Sequence, residues 1–330
     1  MSNVRIKDLI QEAGDAVSCA SYCPKKLALI HTGIAAGANF IVALITYVLG
    51  SGIGNPEGLT GMNLQVMLET AQTILQFAVT IASPFWSLGF VAAALQMARR
   101  QEVGPRSLLQ GFRHWAVVLR MTLLQALMIF AVILLSLQVG RLIYDLTPFS
   151  APLTDLTNQL LEANTTDTEA LMALLQAQDQ ATLMQIFWGM MAFMGLPVLI
   201  AVVILSYRLR LADYLIMDNP KMGALLATFG SLRLTKKNCL RLLKLDLHFW
   251  WFYGLEALIS ILCYGDLLLP LLGVDLGMNG TLASFVFYAL ALACQIGLYA
   301  WQKPRIMASY ALFYHDLLPK EPPEETQVEA

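Results

Sequence analysis

The chain has 330 residues, 57% of them hydrophobic and 13% charged, with a net charge of −2 and a mean hydropathy of +0.61. Soluble domains carry about 25% charged residues, so this composition excludes an ordinary soluble globule; the apolar excess must face lipid, in a polytopic membrane protein. The near-neutral charge also argues against a nucleic-acid partner, whose phosphates demand a basic face.

Residues 1–26 are polar, with Ile6, Leu9, Ile10 and Ala13 at helical spacing. This pattern predicts a short cytoplasmic helix lying in the membrane interface. No cleavable signal peptide is expected, because the first apolar run starts near Leu27, is too long, and lacks a small-residue cleavage site. Apolar runs then predict six spans, at about 27–49, 74–97, 116–139, 183–207, 245–269 and 281–301, each near the roughly 20 residues a helix needs to cross a bilayer. In the first span Gly33 and Gly37 form a GxxxG that would let another helix approach closely. The glycine-rich run Gly50–Gly58 follows no strand and reads as a turn, not a nucleotide loop. Prolines inside the second and fourth spans, Pro84 and Pro197, predict helix kinks. The polar stretch 141–181, with amphipathic pieces at Leu153–Leu161 and Glu169–Leu175, predicts short helices on the outer face. Residues 319–330 are rich in Pro and Glu and predict a disordered tail.

Orientation follows from positive charge. The N-terminus, the segments after the second and fourth spans, and the tail fall on one side, which then holds every Lys and Arg except Arg141. The positive-inside rule places that side, with both termini, in the cytoplasm. The second and fourth spans also share a pattern: a mid-span proline, then a proline break (Pro105, Pro220), a Leu-Leu pair and an Arg. The sixth span ends similarly at Lys303-Pro304-Arg305, so three hairpin units are expected.

The most unusual intramembrane residue is Glu256. A charge at that depth costs about 2.5–3.5 kcal/mol on insertion scales, so it needs a polar partner, a proton or a place facing the bundle interior. Gln76, Gln125, Gln185 and Gln295 are candidate partners. Glu256 reads either as a coupling residue of a transport path or as a buried structural hydrogen bond. The basic run Tyr207–Lys244 offers Arg208, Arg210, Arg233, Lys236, Lys237 and Arg241 as contacts for lipid head groups; the alternative is that these charges only set topology. Asp246 and His248 read as interfacial anchors. His31, His114 and His315 stand isolated, and Cys19 with Cys23 supplies only two of the four ligands a structural zinc requires. No catalytic motif, metal site or cofactor is expected. The five cysteines outline no disulfide framework.

Several spaced pieces carry a family resemblance: Tyr207, Ala212-Asp213-Tyr214-Leu215, Asp218-Asn219-Pro220, Gly223-Ala224-Leu225, Ser231, Arg233-Leu234, Arg241-Leu242, Leu245 to Phe249, Pro304, Ala308-Ser309 and Phe313-Tyr314-His315-Asp316-Leu317. With these the chain resembles the bacterial multi-pass family catalogued as domain-of-unknown-function 975, distantly similar to the membrane domain of some glycerophosphodiester phosphodiesterases. The sequence departs from it at Lys236-Lys237-Asn238 and in the long 141–181 segment. The resemblance implies an all-α fold and a bacterial cytoplasmic membrane, and transfers no catalytic residue. The expectation is a non-enzymatic, six-span helical protein with membrane lipids as partners, binding or moving a lipid or amphiphile or scaffolding membrane proteins. The alternative is a small permease using Pro84, Pro197 and Glu256. Protein partners and a homo-oligomer both stay open.

Overall fold

A computed structural model describes residues 5–52, 59–163, 179–265 and 280–318. The described residues are helical and contain no strand. Five helices are long and apolar enough to cross a membrane: Pro24–Ile45, Glu69–Ala98, Trp115–Asp145, Gln180–Asp218 and Leu282–Leu317. The predicted fifth span is the exception. A helix over Cys239–His248 (α11) ends there, Phe249 turns out of helical geometry at φ −100° and ψ 19°, and a new helix (α12) runs over Trp250–Leu262. The apolar helix thus begins at Trp250 instead of Leu245 and ends at Leu262, 13 residues long, with a turn at Cys263 and Tyr264. Residues 266–269 of that predicted span, the Glu169–Leu175 stretch, most of the glycine-rich turn and the tail lie outside the described residues.

The chain divides into two compact units, residues 1–122 with 211–330, and residues 123–210. In the first, α1 (Ile6–Ser18), α2 (Pro24–Gly52), α3 (Leu59–Ala98) and α12 pack on α13 (Gly280–Leu317) as their common partner. The amphipathic face of α1 does not meet lipid. Leu9, Ile10, Ala13 and Ala16 are buried, because the apolar stripe packs on α13 and α3. The helix spans Ile6–Ser18, and its apolar stripe packs on protein.

The glycine-mediated approach lies elsewhere than the sequence placed it. At Gly33 and Gly37 an added Cβ would meet nothing within 4 Å among the described residues, so no close approach is built on the GxxxG. The close approach lies between α3 and the 3-10 turn Pro105–Leu109 with the short α4 (Gln110–Arg113). A Cβ on Gly89 would sit 1.9 Å from the Leu108 carbonyl oxygen, and one on Gly111 1.9 Å from that of Phe85. Only glycine fits at both.

Proline behaves differently in each expected hairpin. The helix α3 runs unbroken through Pro84. Short 3-10 turns begin at Pro105 and at Pro220, which supports the likeness of the first two units. The third departs from it: α13 continues through Pro304 to Leu317, where the sequence predicted an end at Trp301.

The second unit holds the rest of α5 (Trp115–Asp145), α6 (Ala151–Ala163), α7 (Gln180–Met190) and α8 (Leu196–Leu209). A π-helical stretch, Met191–Gly195, joins α7 to α8 just before Pro197. Proline lacks the N–H that a regular α-turn would use, and π-bulges are a frequent way to absorb that loss. Gly140 and Gly189 allow close packing here: their added Cβ atoms would fall 2.5 Å from the Phe193 carbonyl oxygen and 2.9 Å from the Tyr144 ring.

Candidate functional site

Two polar constellations stand out in the first unit. The first is a partly open cavity of about 240 Å³. On α2, His31, Thr32, Ala35, Ala36 and Asn39 line it, a set spaced to share one helical face. On α13, Tyr288, Gln295, Tyr299 and Lys303 line it at steps of seven, four and four residues. The helix α12 adds Ile259 and Ser260.

The wall is charged and ordered. Tyr299 donates a hydrogen bond to Oε1 of Glu256, and Ser260 donates to the Glu256 carbonyl at 2.9 Å. The ammonium of Lys303 lies 4.9 Å from the Tyr299 ring centre and 5.5 Å from that of Phe90, positions that favour a cation electrostatically. It also lies 3.4 Å from Nδ1 of His31. The His31 ring stacks on Trp86 at 5.6 Å and tilts on Phe90 at 4.8 Å, while the Trp86 indole donates to the His31 carbonyl at 2.7 Å. These contacts hold the imidazole in one orientation.

The second constellation ties α13 to the loops. The helix α3 closes with Arg100 in the left-handed region (φ 54°), with Arg100 N–H donating to Met97 and Gln101 N–H to Gln96. This C-terminal cap halts the helix at Arg99. Arg99 then forms an ion pair with Asp218 and donates to Nε2 of His315 at 3.1 Å. Tyr314 donates to the other Asp218 oxygen at 2.9 Å. Asp218 ends α9 (Ala212–Asp218), and the following Pro220 turn reaches Gly223 at φ 81°, where glycine is favoured. Next along, Arg241 pairs with Asp316 at 3.0 Å and stacks on Phe313 at 5.5 Å. Each residue of Phe313-Tyr314-His315-Asp316 therefore meets a specific partner.

The sequence candidates separate accordingly. Glu256 does not itself line the cavity but accepts from Tyr299, which does; of the predicted glutamine partners only Gln295 lines that cavity. Arg241 serves the Asp316 ion pair rather than an open surface. Arg233, Lys236 and Lys237 are exposed around the end of α10 (Ala224–Thr235). Arg208 and Arg210 end α8 in the second unit, with Arg210 6.0 Å from the Tyr207 ring centre. Tyr207–Met217 is not one surface helix: α8 ends at Leu209, and Tyr214, Leu215 and Ile216 are buried in α9. Asp246 is buried rather than an interfacial anchor, accepting from Tyr253 at 3.2 Å, and His248 is exposed. Sequence reading missed His31, Tyr299 and Lys303. The signal available was the intramembrane Glu256, which calls for a cation or donor on another helix, together with the four-residue spacing of Tyr299 and Lys303.

No curated protein and no solved structure matches the chain. One family model does, over residues 27–321, which takes in the cavity and all the partners of the α13 clamp. The chain belongs to that family, the protein family of unknown function DUF975.

Proposed function

We propose that this protein binds or moves an amphiphile, most simply a membrane lipid, whose polar end enters the α2–α12–α13 cavity. The observation that supports the reading is the cavity itself: a partly open, polar-lined space of about 240 Å³ in a chain whose neighbouring helices are apolar enough to span a bilayer. Ligand sites are concave, largely apolar and carry a few fixed polar groups, and His31, Gln295, Tyr299 and Lys303 are such groups. The exposed Arg233, Lys236 and Lys237 supply a secondary, electrostatic hold on anionic head groups. No catalytic role is assigned.

The permease reading is favoured by a different observation, the pairing of Glu256 with Tyr299 beside Lys303. An ammonium lining a cavity and a carboxylate bonded to its wall can couple ligand entry to proton movement. In either reading we place six spans in a bacterial cytoplasmic membrane with both termini inside; a reporter fused after Ala330 that proved external would overturn this orientation.

The deciding experiment fills the cavity. In Ala35→Phe the new ring occupies it. Full-length protein extracted gently and analysed by native mass spectrometry should retain a stoichiometric amphiphile that the variant loses. Equal retention by both proteins would place the ligand elsewhere and defeat the reading.

A further inference from the structure

Two buried polar atoms of the cavity wall have no partner, and they stand beside an ammonium; this combination specifies a ligand class. Lys303 is an ammonium, which can only donate. Its contact with His31 Nδ1 at 3.4 Å makes that nitrogen the acceptor. The proton of a neutral imidazole then resides on Nε2, since one ring nitrogen donates when the other accepts. His31 Nε2 is buried and has no hydrogen-bond partner, and the same holds for Thr32 Oγ1. His31 and Thr32 are only 3% and 5% exposed, and both line the cavity. A buried polar atom without a partner costs about 1–3 kcal/mol, so a ligand that satisfies both atoms gains from a site already built for it.

The nearest carboxylate does not answer this need. Tyr299 donates to Glu256, and no Asp or Glu oxygen among the described residues lies within ion-pair distance of Lys303. Aromatic faces hold the ammonium instead. Two donors and a cation without a paired anion converge on one space.

Building on the amphiphile reading above, we infer that the cavity binds the anionic group of its ligand, a phosphate or carboxylate, between Lys303, His31 Nε2–H and the Thr32 hydroxyl. The anion supplies Lys303 with its missing counter-charge and accepts from both unpartnered donors. Glu256, bonded to Tyr299, acts against the bound charge. Lys303 and Glu256 therefore influence binding with opposite signs, which no structural role would reproduce.

The test uses the full chain in nanodiscs holding equal amounts of phosphatidylglycerol and a galactosyl diacylglycerol, which has no phosphate or other anionic group, with identical acyl chains, read by native mass spectrometry. A parallel arm adds inorganic phosphate to the detergent-solubilised protein and follows thermal unfolding. We expect the anionic lipid to be retained about tenfold over the uncharged one, the scale of one charge-assisted hydrogen bond. Lys303→Met should abolish the preference, Lys303→Arg should keep it, and Glu256→Gln should strengthen it. Stabilisation by phosphate without lipid preference would assign the same donors to a free anion. If Lys303→Met does not fold, the wild-type preference and the direction of the Glu256→Gln change decide. Equal retention of both lipids with no phosphate effect overturns the anion inference but leaves the amphiphile reading standing. No retained lipid in the wild type, with no phosphate effect, overturns both.

Discussion

The two units of this chain solve burial in different ways. In the first, the most apolar stretch of Glu69–Ala98 is 50% buried and that of Pro24–Ile45 28%. The long α13 is only 17% buried in its most apolar stretch, yet Ala308, Ser309, Tyr310, Ala311, Phe313 and Tyr314 near its end are almost wholly enclosed. Ion pairs and tyrosine hydrogen bonds cluster there. In the second unit, the most apolar stretch of Trp115–Asp145 is 11% buried, and that of the Gln180–Asp218 run 6%. Such helices need no protein neighbour on most faces, because lipid tails are as apolar as leucine. Polar groups have no such substitute. They must find partners within the chain, so the organised part of the molecule is the part that contains them.

Mutations can break this contrast, and the largest effect is expected at the tightest contact. Gly89→Ala and Gly111→Ala each drive a methyl into a backbone carbonyl, and should destabilise by about 3 kcal/mol. Gly33→Ala and Gly37→Ala meet open space and should be neutral or slightly stabilising, since alanine favours helix. Thermal unfolding of the four variants in one detergent compares them directly; equal losses at all four would refute the packing described for α3.

Next in size is the clamp. Asp218→Ala strands Arg99 and removes the acceptor of Tyr314, and should cost about 2 kcal/mol. Because Asp218 and Tyr314 touch, a double-mutant cycle with Tyr314→Phe should be non-additive. Additive losses would mean that the hydrogen bond contributes nothing.

Leucine truncations test the two units directly. Leu108 is 1% exposed in the first, and Leu108→Ala should cost about 2–5 kcal/mol. Leu135 is 67% exposed in the second, and its truncation should stay within about 0.5 kcal/mol. A large loss at Leu135 would reveal a protein neighbour covering that face, such as a second copy.

The smallest effect concerns chemistry at the chain's surface. Cys23 is exposed, and its thiol titrates below the ordinary cysteine value, chiefly because the Lys26 backbone N–H bonds to it and the Lys25 N–H and both ammonium groups add to this. The thiolate is the reactive form. A maleimide should therefore label Cys23 at a lower pH than a free cysteine peptide; a matching profile would remove the assigned cause.

How far the sequence could be read depended on the range of the interaction concerned. Apolar run length and charge distribution are local, and each of the first four predicted spans overlaps one of the five helices long and apolar enough to cross a membrane. The fifth was placed too early because Leu245, Leu247 and Phe249 look apolar, while the buried Asp246 and the turn at Phe249 depend on Tyr253. The sixth was ended too soon because Lys303 and Pro304 resemble a stop. In the fold Lys303 enters a cavity lined by α2, and Pro304 is buried in an unbroken helix. Glu256 was conspicuous in the sequence; its partner Tyr299 lies 43 residues away and nothing in the local pattern named it.

The sequence by itself determined the class: a helical chain with several stretches suited to a bilayer, because hydropathy and helix length need no knowledge of neighbours. It also marked Asp218-Asn219-Pro220 and Phe313-Tyr314-His315-Asp316 as family-like pieces, without a reason for them. Only the tertiary structure decided that these two pieces meet through Arg99 and the Tyr314–Asp218 hydrogen bond, and that His31, Lys303 and Tyr299 meet at one cavity. Residues 272 positions apart, such as His31 and Lys303, become neighbours only when α2 packs on α13. Hydrogen bonds and charges act over a few ångströms of space, and distance along the chain carries no record of that.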